Sequence, residues 1–265
     1  MNKKVIFVIL AVLTIGMLAY RAKKYIEDKV NNMIASGELI DKYYTNVIQD
    51  KIWVHRVNSI ERLKETSPLY SGVEVDILYI PEKNNFDVSH PPAGSTGITL
   101  FDYLKSNPDT STKFWLDFKN LDSTNFSDAL KRLTYICQDL ALSKDKFIVE
   151  SNQTKELQAF TDSGFFTSYY LHYPGLYTLS EEDLQIELDK IRKGMQYETT
   201  YISAPFHDYE ILRKYFPDKE KLLWMAESKL KFRDNMQQSL YALKVASDPK
   251  VKVILYWVEM DTPIL

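Results

Sequence analysis

The chain has 265 residues, 45% of them hydrophobic and 26% charged, with a formal net charge of −3. That length suits one large α/β core or two small ones, and the mildly acidic balance excludes a dedicated nucleic-acid binder, which shows a basic excess or stripe. A single cysteine, Cys137, excludes an intramolecular disulfide and a cysteine-based zinc motif.

Taken in chain order, Val5 to Tyr20 is a run of sixteen residues without a charge, closed by Arg21, Lys23 and Lys24. It is shorter than the roughly 20 residues of a comfortable span, and Tyr20 with the flanking lysines makes up the difference at the interface. The pattern predicts an uncleaved transmembrane anchor over residues 1–21. A cleaved signal peptide is the alternative, although no clean A-x-A site or lipobox cysteine follows. Flanking charges balance on the two sides and leave the orientation open. An anchor of this kind places the attached domain outside the cytoplasm. Residues 22–49 read as a juxtamembrane helix or solvated stalk.

From residue 50 to residue 265 apolar runs alternate with amphipathic segments. Strands are expected at Ile52–His55, Val73–Leu78, Lys113–Phe118, Phe147–Glu150, Thr167–Leu171, Thr200–Ser203, Leu222–Ala226 and Val251–Trp257. Helical segments are expected at Ser59–Glu65, Thr99–Ser106, Ser123–Ala141, Thr154–Asp162, Glu181–Gly194, Asp208–Tyr215 and Arg233–Ser247, with Ser180 and Asp183 as a helix-start signal. Eight strands separated by seven helices predict a single (β/α)8 TIM barrel of the α/β class, with a doubly wound open sheet as the rival.

In a barrel, reactive groups sit at the C-terminal strand ends and in the adjoining loops. His55 ends the first strand in "WVHR". Glu74 and Asp76 lie two apart on the second and share a face, although carboxylates on a buried strand repel and lose solvation. His90 comes next in "SHPP", where Pro91 and Pro92 hold its backbone extended. Asp117 and Lys119 share a face near the end of the third strand, and Glu150 ends the fourth. Read singly, these are acid pairs, ion pairs and satisfied histidines. Together, three carboxylates suggest a hard divalent cation, Mg²⁺ or Ca²⁺, and two histidines beside them suggest an acid and a base. Trp257 reaches the mouth if its parity is right. His172 and the surrounding tyrosines read as packing, and His207 as a helix start. The chain carries no P-loop, G-x-G-x-x-G, G-x-S-x-G or H-E-x-x-H motif.

These residues have a family likeness. "HR" ending the first strand, E-x-D on the second and a histidine about a dozen residues on resemble the glycerophosphodiester phosphodiesterase superfamily. Its barrels are similar to phosphatidylinositol-specific phospholipase C and the sphingomyelinase D enzymes. Asp117-Phe118-Lys119 is nearer the sphingomyelinase D branch, and "WVHRVNS", "VEVDI", "SHPP" and "LDFK" are similar in order and spacing to the menorin family. The resemblance implies Glu74, Asp76 and Asp117 as metal ligands, His55 and His90 as the acid/base pair and Lys119 facing a phosphate. A phosphodiester or phospholipid-like substrate is implied with them, bound by Arg56, Asn58, Glu150 and Trp257, of which Arg56 and Asn58 contact the phosphate or orient the site. Val57 and Pro91 stand where glycerophosphodiesterases have glycine and aspartate. Menorin-type proteins are associated with extracellular recognition, so a non-catalytic recognition protein on the same barrel is the alternative.

Overall fold

The computed structural model describes residues 17, 20–25, 49–171, 174–225 and 236–257. The expected anchor and stalk fall almost wholly outside these residues. Among the described residues no helix is long and apolar enough to cross a membrane.

Nine strands form one sheet: β1 (Ile52–Val54), β2 (Gly72–Ile80), β3 (Asn85–Val88), β4 (Lys113–Phe118), β5 (Phe147–Ser151), β6 (Phe166–Tyr170), β7 (Tyr201–Pro205), β8 (Glu220–Trp224) and β9 (Val251–Tyr256). Their order is β1-β9-β8-β7-β6-β5-β4-β2-β3, and β1 also pairs with β2 through Val54 and Val73. That pairing closes the eight parallel strands into a barrel, which an open doubly wound sheet does not do. β3 is antiparallel to β2 and lies outside the closed ring. It is absent from the strands expected from the sequence. Asn84 turns the chain at φ 43°, and Phe86 and Val88 are buried while Asn85 and Asp87 are partly exposed, a short half-buried strand.

The helices are α1 (Ile60–Thr66), α2 (Leu100–Lys105), α3 (Phe126–Asp139), α4 (Thr154–Asp162), α5 (Glu181–Gly194), α6 (Tyr209–Tyr215) and α7 (Met236–Ser247). Ser59, Thr99 and Ser180 cap α1, α2 and α5, each side chain accepting from the backbone N–H three residues on. In α3 the buried residues are Ala129, Leu133, Ile136 and Cys137, the spacing of one apolar helix face. Each fully buried Leu or Ile contributes about 1.5–3 kcal/mol. Burial also pushes the Cys137 thiol up to about 12, so it stays a neutral packing group.

Alternation along the strands divides the core. Residues facing outward pack under the helices in two clusters. Those facing inward, Trp53, Trp115, Ile148, Leu222, Val253 and Leu255 among them, fill the barrel. Gly72 is required there: a Cβ would lie 2.3 Å from the Trp53 ring. The filled lower barrel leaves the upper strand ends to the polar residues.

Candidate active site

The inward parity of Trp53 on β1, Trp115 on β4 and Ile148 on β5 continues two residues on to His55, Asp117 and Glu150. Asp76 on β2 pairs with Asp117 on β4, and Asp117 with Glu150 on β5, so three carboxylate residues stand on neighbouring strands at one level. One carboxylate oxygen each from Glu74, Asp76 and Asp117 lie within 4.8 Å of one another. Glu74 and Asp76 are 2% and 1% exposed, whereas Asp117 keeps 19% at the mouth.

Three neighbouring carboxylates need compensation, and the structure supplies part of it. Lys119 Nζ donates to Asp76 Oδ1 at 2.8 Å and also to Asp117 Oδ2. Burial works against the Lys119 charge, but Asp117 and Asp76 outweigh it and raise its pKa. Glu74 is served less well. Its Oε2 accepts from the Arg56 backbone N–H at 2.7 Å, while Oε1 is buried with no partner. Burial, then Asp76 and Asp117, push its carboxyl well above the ordinary range. Asp117 is raised too, by burial first, with Lys119 opposing.

These residues fit a hard divalent cation. Three oxygen donors converge, and a buried carboxylate oxygen that no protein group satisfies points to a missing positive partner. Carboxylate oxygens of this kind suit hard cations.

Both histidines stand near the carboxylates, His55 by Glu74 and His90 close enough to act on Asp117. His55 Nδ1 lies 3.1 Å from the Met225 carbonyl, which can only accept, so Nδ1 carries the proton and Nε2 is left as an acceptor. That Nε2 is 3.7 Å from Glu74 Oε2. Burial, then the Arg56 charge, lower His55 to about 4, so it is neutral at physiological pH. His90 Nε2 accepts from the Arg56 guanidinium at 3.3 Å. Arg56 itself is exposed and sits at φ 55°, in the left-handed region. Trp257, just past β9, meets His55 edge to face with ring centroids 6.1 Å apart, and the Arg62 guanidinium lies over the Trp257 ring.

The remaining expected residues are placed differently from one another. Asn58 spends its amide on Asp76, donating to Oδ2 at 2.6 Å and accepting from the Asp76 N–H at 2.9 Å. Glu150 is 1% exposed, with Oε2 lacking a hydrogen-bond partner. Burial, then Asp117, raise it to about 8, while the nearby Ser168 and Ser203 hydroxyls act the other way without forming hydrogen bonds of normal geometry. His207 lies in a 3-10 turn, Phe206–Asp208, its ring 5.2 Å from that of Tyr177. His172 is outside the described residues. Sequence reasoning missed the Met225 carbonyl, Ser168, Ser203 and Tyr103, whose hydroxyl donates to the Val57 carbonyl at 2.7 Å. Nothing in the local sequence marks them, because each meets the site from an element distant along the chain.

No protein-family model and no curated protein matches the chain. Solved structures do match in fold. The chain has the fold of the glycerophosphodiester phosphodiesterases. One similar structure, a glycerophosphodiester phosphodiesterase from Parabacteroides distasonis, superposes with a TM-score of 0.55 at 14% identity, over 80% of this chain and 94% of the other. A protein from Agrobacterium tumefaciens, assigned as a glycerophosphoryl diester phosphodiesterase, gives 0.57 at 13% identity over 78% and 93%. An Oleispira antarctica phosphodiesterase, in complex with the product sn-glycerol 3-phosphate, gives 0.50 at 9% identity over 80% and 94%. At such identities the likeness establishes the α/β TIM barrel and its topology; the menorin likeness stays a matter of sequence motifs.

Proposed function

We propose that the chain is a phosphodiesterase that works with a divalent cation, Mg²⁺ or Ca²⁺, held by Glu74, Asp76 and Asp117. The observation that carries this reading is the convergence of those three carboxylates within 4.8 Å at the barrel mouth, with Glu74 Oε1 unpartnered, His55 Nε2 3.7 Å from Glu74 and His90 against the Arg56 guanidinium. The shared fold with phosphodiesterases supports it.

When bound, the cation supplies charge stabilisation to the phosphoryl oxygens. Lys119, at the same carboxylates, adds a fixed positive charge beside the phosphate. His55 presents an accepting Nε2 and takes the proton of the attacking nucleophile, a neighbouring substrate hydroxyl or water, as the new P–O bond forms. His90, once its Nε2 leaves the Arg56 guanidinium and takes up a proton, gives that proton to the leaving oxygen as the P–O bond to it breaks. Met225 holds the His55 tautomer through its carbonyl. Arg56 bears on the phosphate from the exposed side, and Trp257 walls the His55 side. Glu150 backs Asp117 from within the barrel, one strand on. The substrate is a glycerophosphodiester or phospholipid headgroup, and a membrane location rests on residues 5–20 of the sequence alone.

The test is turnover of glycerophosphodiesters and bis(4-nitrophenyl) phosphate by the full chain with Mg²⁺ or Ca²⁺. His55→Ala and His90→Ala are each expected to lower kcat by about 10²–10⁴-fold, the span of general acid–base catalysis, while cation binding persists. A wild-type chain that binds cation and phosphodiester without turnover would instead be a recognition protein built on the same barrel.

A further inference from the structure

The loop after β1 grips both carboxylates of the E-x-D pair, and it does so by different atoms. The Arg56 backbone N–H holds Glu74 Oε2 at 2.7 Å, and the Asn58 side-chain amide holds Asp76 Oδ2 at 2.6 Å. In each carboxylate one oxygen is thereby taken. The other is unpartnered at Glu74 Oε1 and bonded to Lys119 at Asp76 Oδ1. Asn58 is further locked because its own Oδ1 accepts from the Asp76 N–H at 2.9 Å, a two-point contact that fixes the amide plane. The loop is tied down at Val57, whose N–H donates to the Glu74 carbonyl at 2.8 Å and whose carbonyl accepts from Tyr103.

We propose that Asn58 is a positioning residue that holds Asp76 as a one-oxygen ligand with Oδ1 turned to the cation; this rests on the cation reading above. A carboxylate released from Asn58 is free to rotate about its terminal torsion, whose minimum is broad. It then offers the cation either oxygen or both. Groups that hold a ligand from behind set its orientation, and losing one weakens metal binding by about 10–100-fold. Asn58 does this work through Asp76 and is not assigned to the substrate.

Calorimetric titration of the full chain with Mg²⁺, alongside Asn58→Ala and Asn58→Ser, tests the assignment. The serine hydroxyl is too short to span to Asp76 but keeps the loop polar, so it serves if the alanine variant does not fold. Both folded variants are expected to bind Mg²⁺ about 10–100-fold more weakly than the parent. The electron paramagnetic resonance spectrum of bound Mn²⁺ should also change, because the carboxylate coordination changes. A purely structural role would lower the melting temperature and leave affinity and spectrum of the folded protein unaltered, and that result would overturn the assignment. A parent chain that binds neither Mg²⁺ nor Mn²⁺ would overturn the cation reading itself, an outcome distinct from equal binding by parent and variants.

Discussion

Lys119 Nζ bridges Asp76 and Asp117, two carboxylates presented by neighbouring parallel strands. One ammonium thus sets the charge balance of a cluster that would otherwise be three carboxylates in a barrel mouth. Lys119→Met should therefore destabilise the cation-free chain by about 3 kcal/mol, the lower end of the cost of breaking a buried pair, since Lys119 keeps 23% exposure. Saturating Mg²⁺ should restore much of the loss. Urea unfolding with chelator and with Mg²⁺ checks both parts, and an unchanged midpoint in chelator would contradict the bridging role.

Cation affinity should fall as pH drops. Burial first, and Asp76 with it, raises the carboxyls of Glu74 and Asp117, and a ligand must lose its proton to bind. Protons are then released on binding. Titrations in two buffers of different ionisation enthalpy would reveal that release, and identical apparent enthalpies in both would argue against it.

Glu150 sets a second pH effect, on stability. Its carboxyl is raised from 4.5 to about 8, so across that window the folded chain holds a proton that the unfolded chain has lost. Its contribution to stability is fully present below the unfolded value and is lost as pH rises towards about 8. Glu150→Gln removes the titrating group. Urea midpoints measured across this range should converge with wild type at acid pH and exceed it at mildly alkaline pH. Parallel curves would refute the assignment.

Gly72→Ala should be destabilising for a steric reason. The new methyl would meet the Trp53 ring at 2.3 Å, and overpacking of a filled core costs about 1–3 kcal/mol. Thermal unfolding reads the loss directly. A midpoint equal to wild type would mean that Trp53 has room to move.

Some of this is legible in the residues alone. The parallel strands are near-continuous apolar runs because both of their faces are buried, so "VEVDILYI" and "KFWLDF" declare themselves even with carboxylates inside them. The E-x-D and D-x-K spacings also carried through, since period-two alternation puts residues two apart on one face. β3 did not, because its four residues bury only Phe86 and Val88 and its antiparallel pairing depends on a turn at Asn84. Asn58 is expected from the sequence to meet a phosphate or orient the site, but that Asp76 is its partner could not be read there; hydrogen-bond partners between residues eighteen apart leave no local trace.

The sequence by itself thus determined the alternating barrel pattern and the faces on which Glu74, Asp76, Asp117 and Lys119 stand, because periodicity is a property of the backbone and is repeated at every residue. Tertiary structure decided the rest. Closure through Val54 and Val73 brings His55 to Glu74, the Met225 carbonyl selects its tautomer, and Lys119 and Asn58 divide the oxygens of Asp76 between them. Those choices depend on which distant strand ends meet, and on how burial weights each charge once they do.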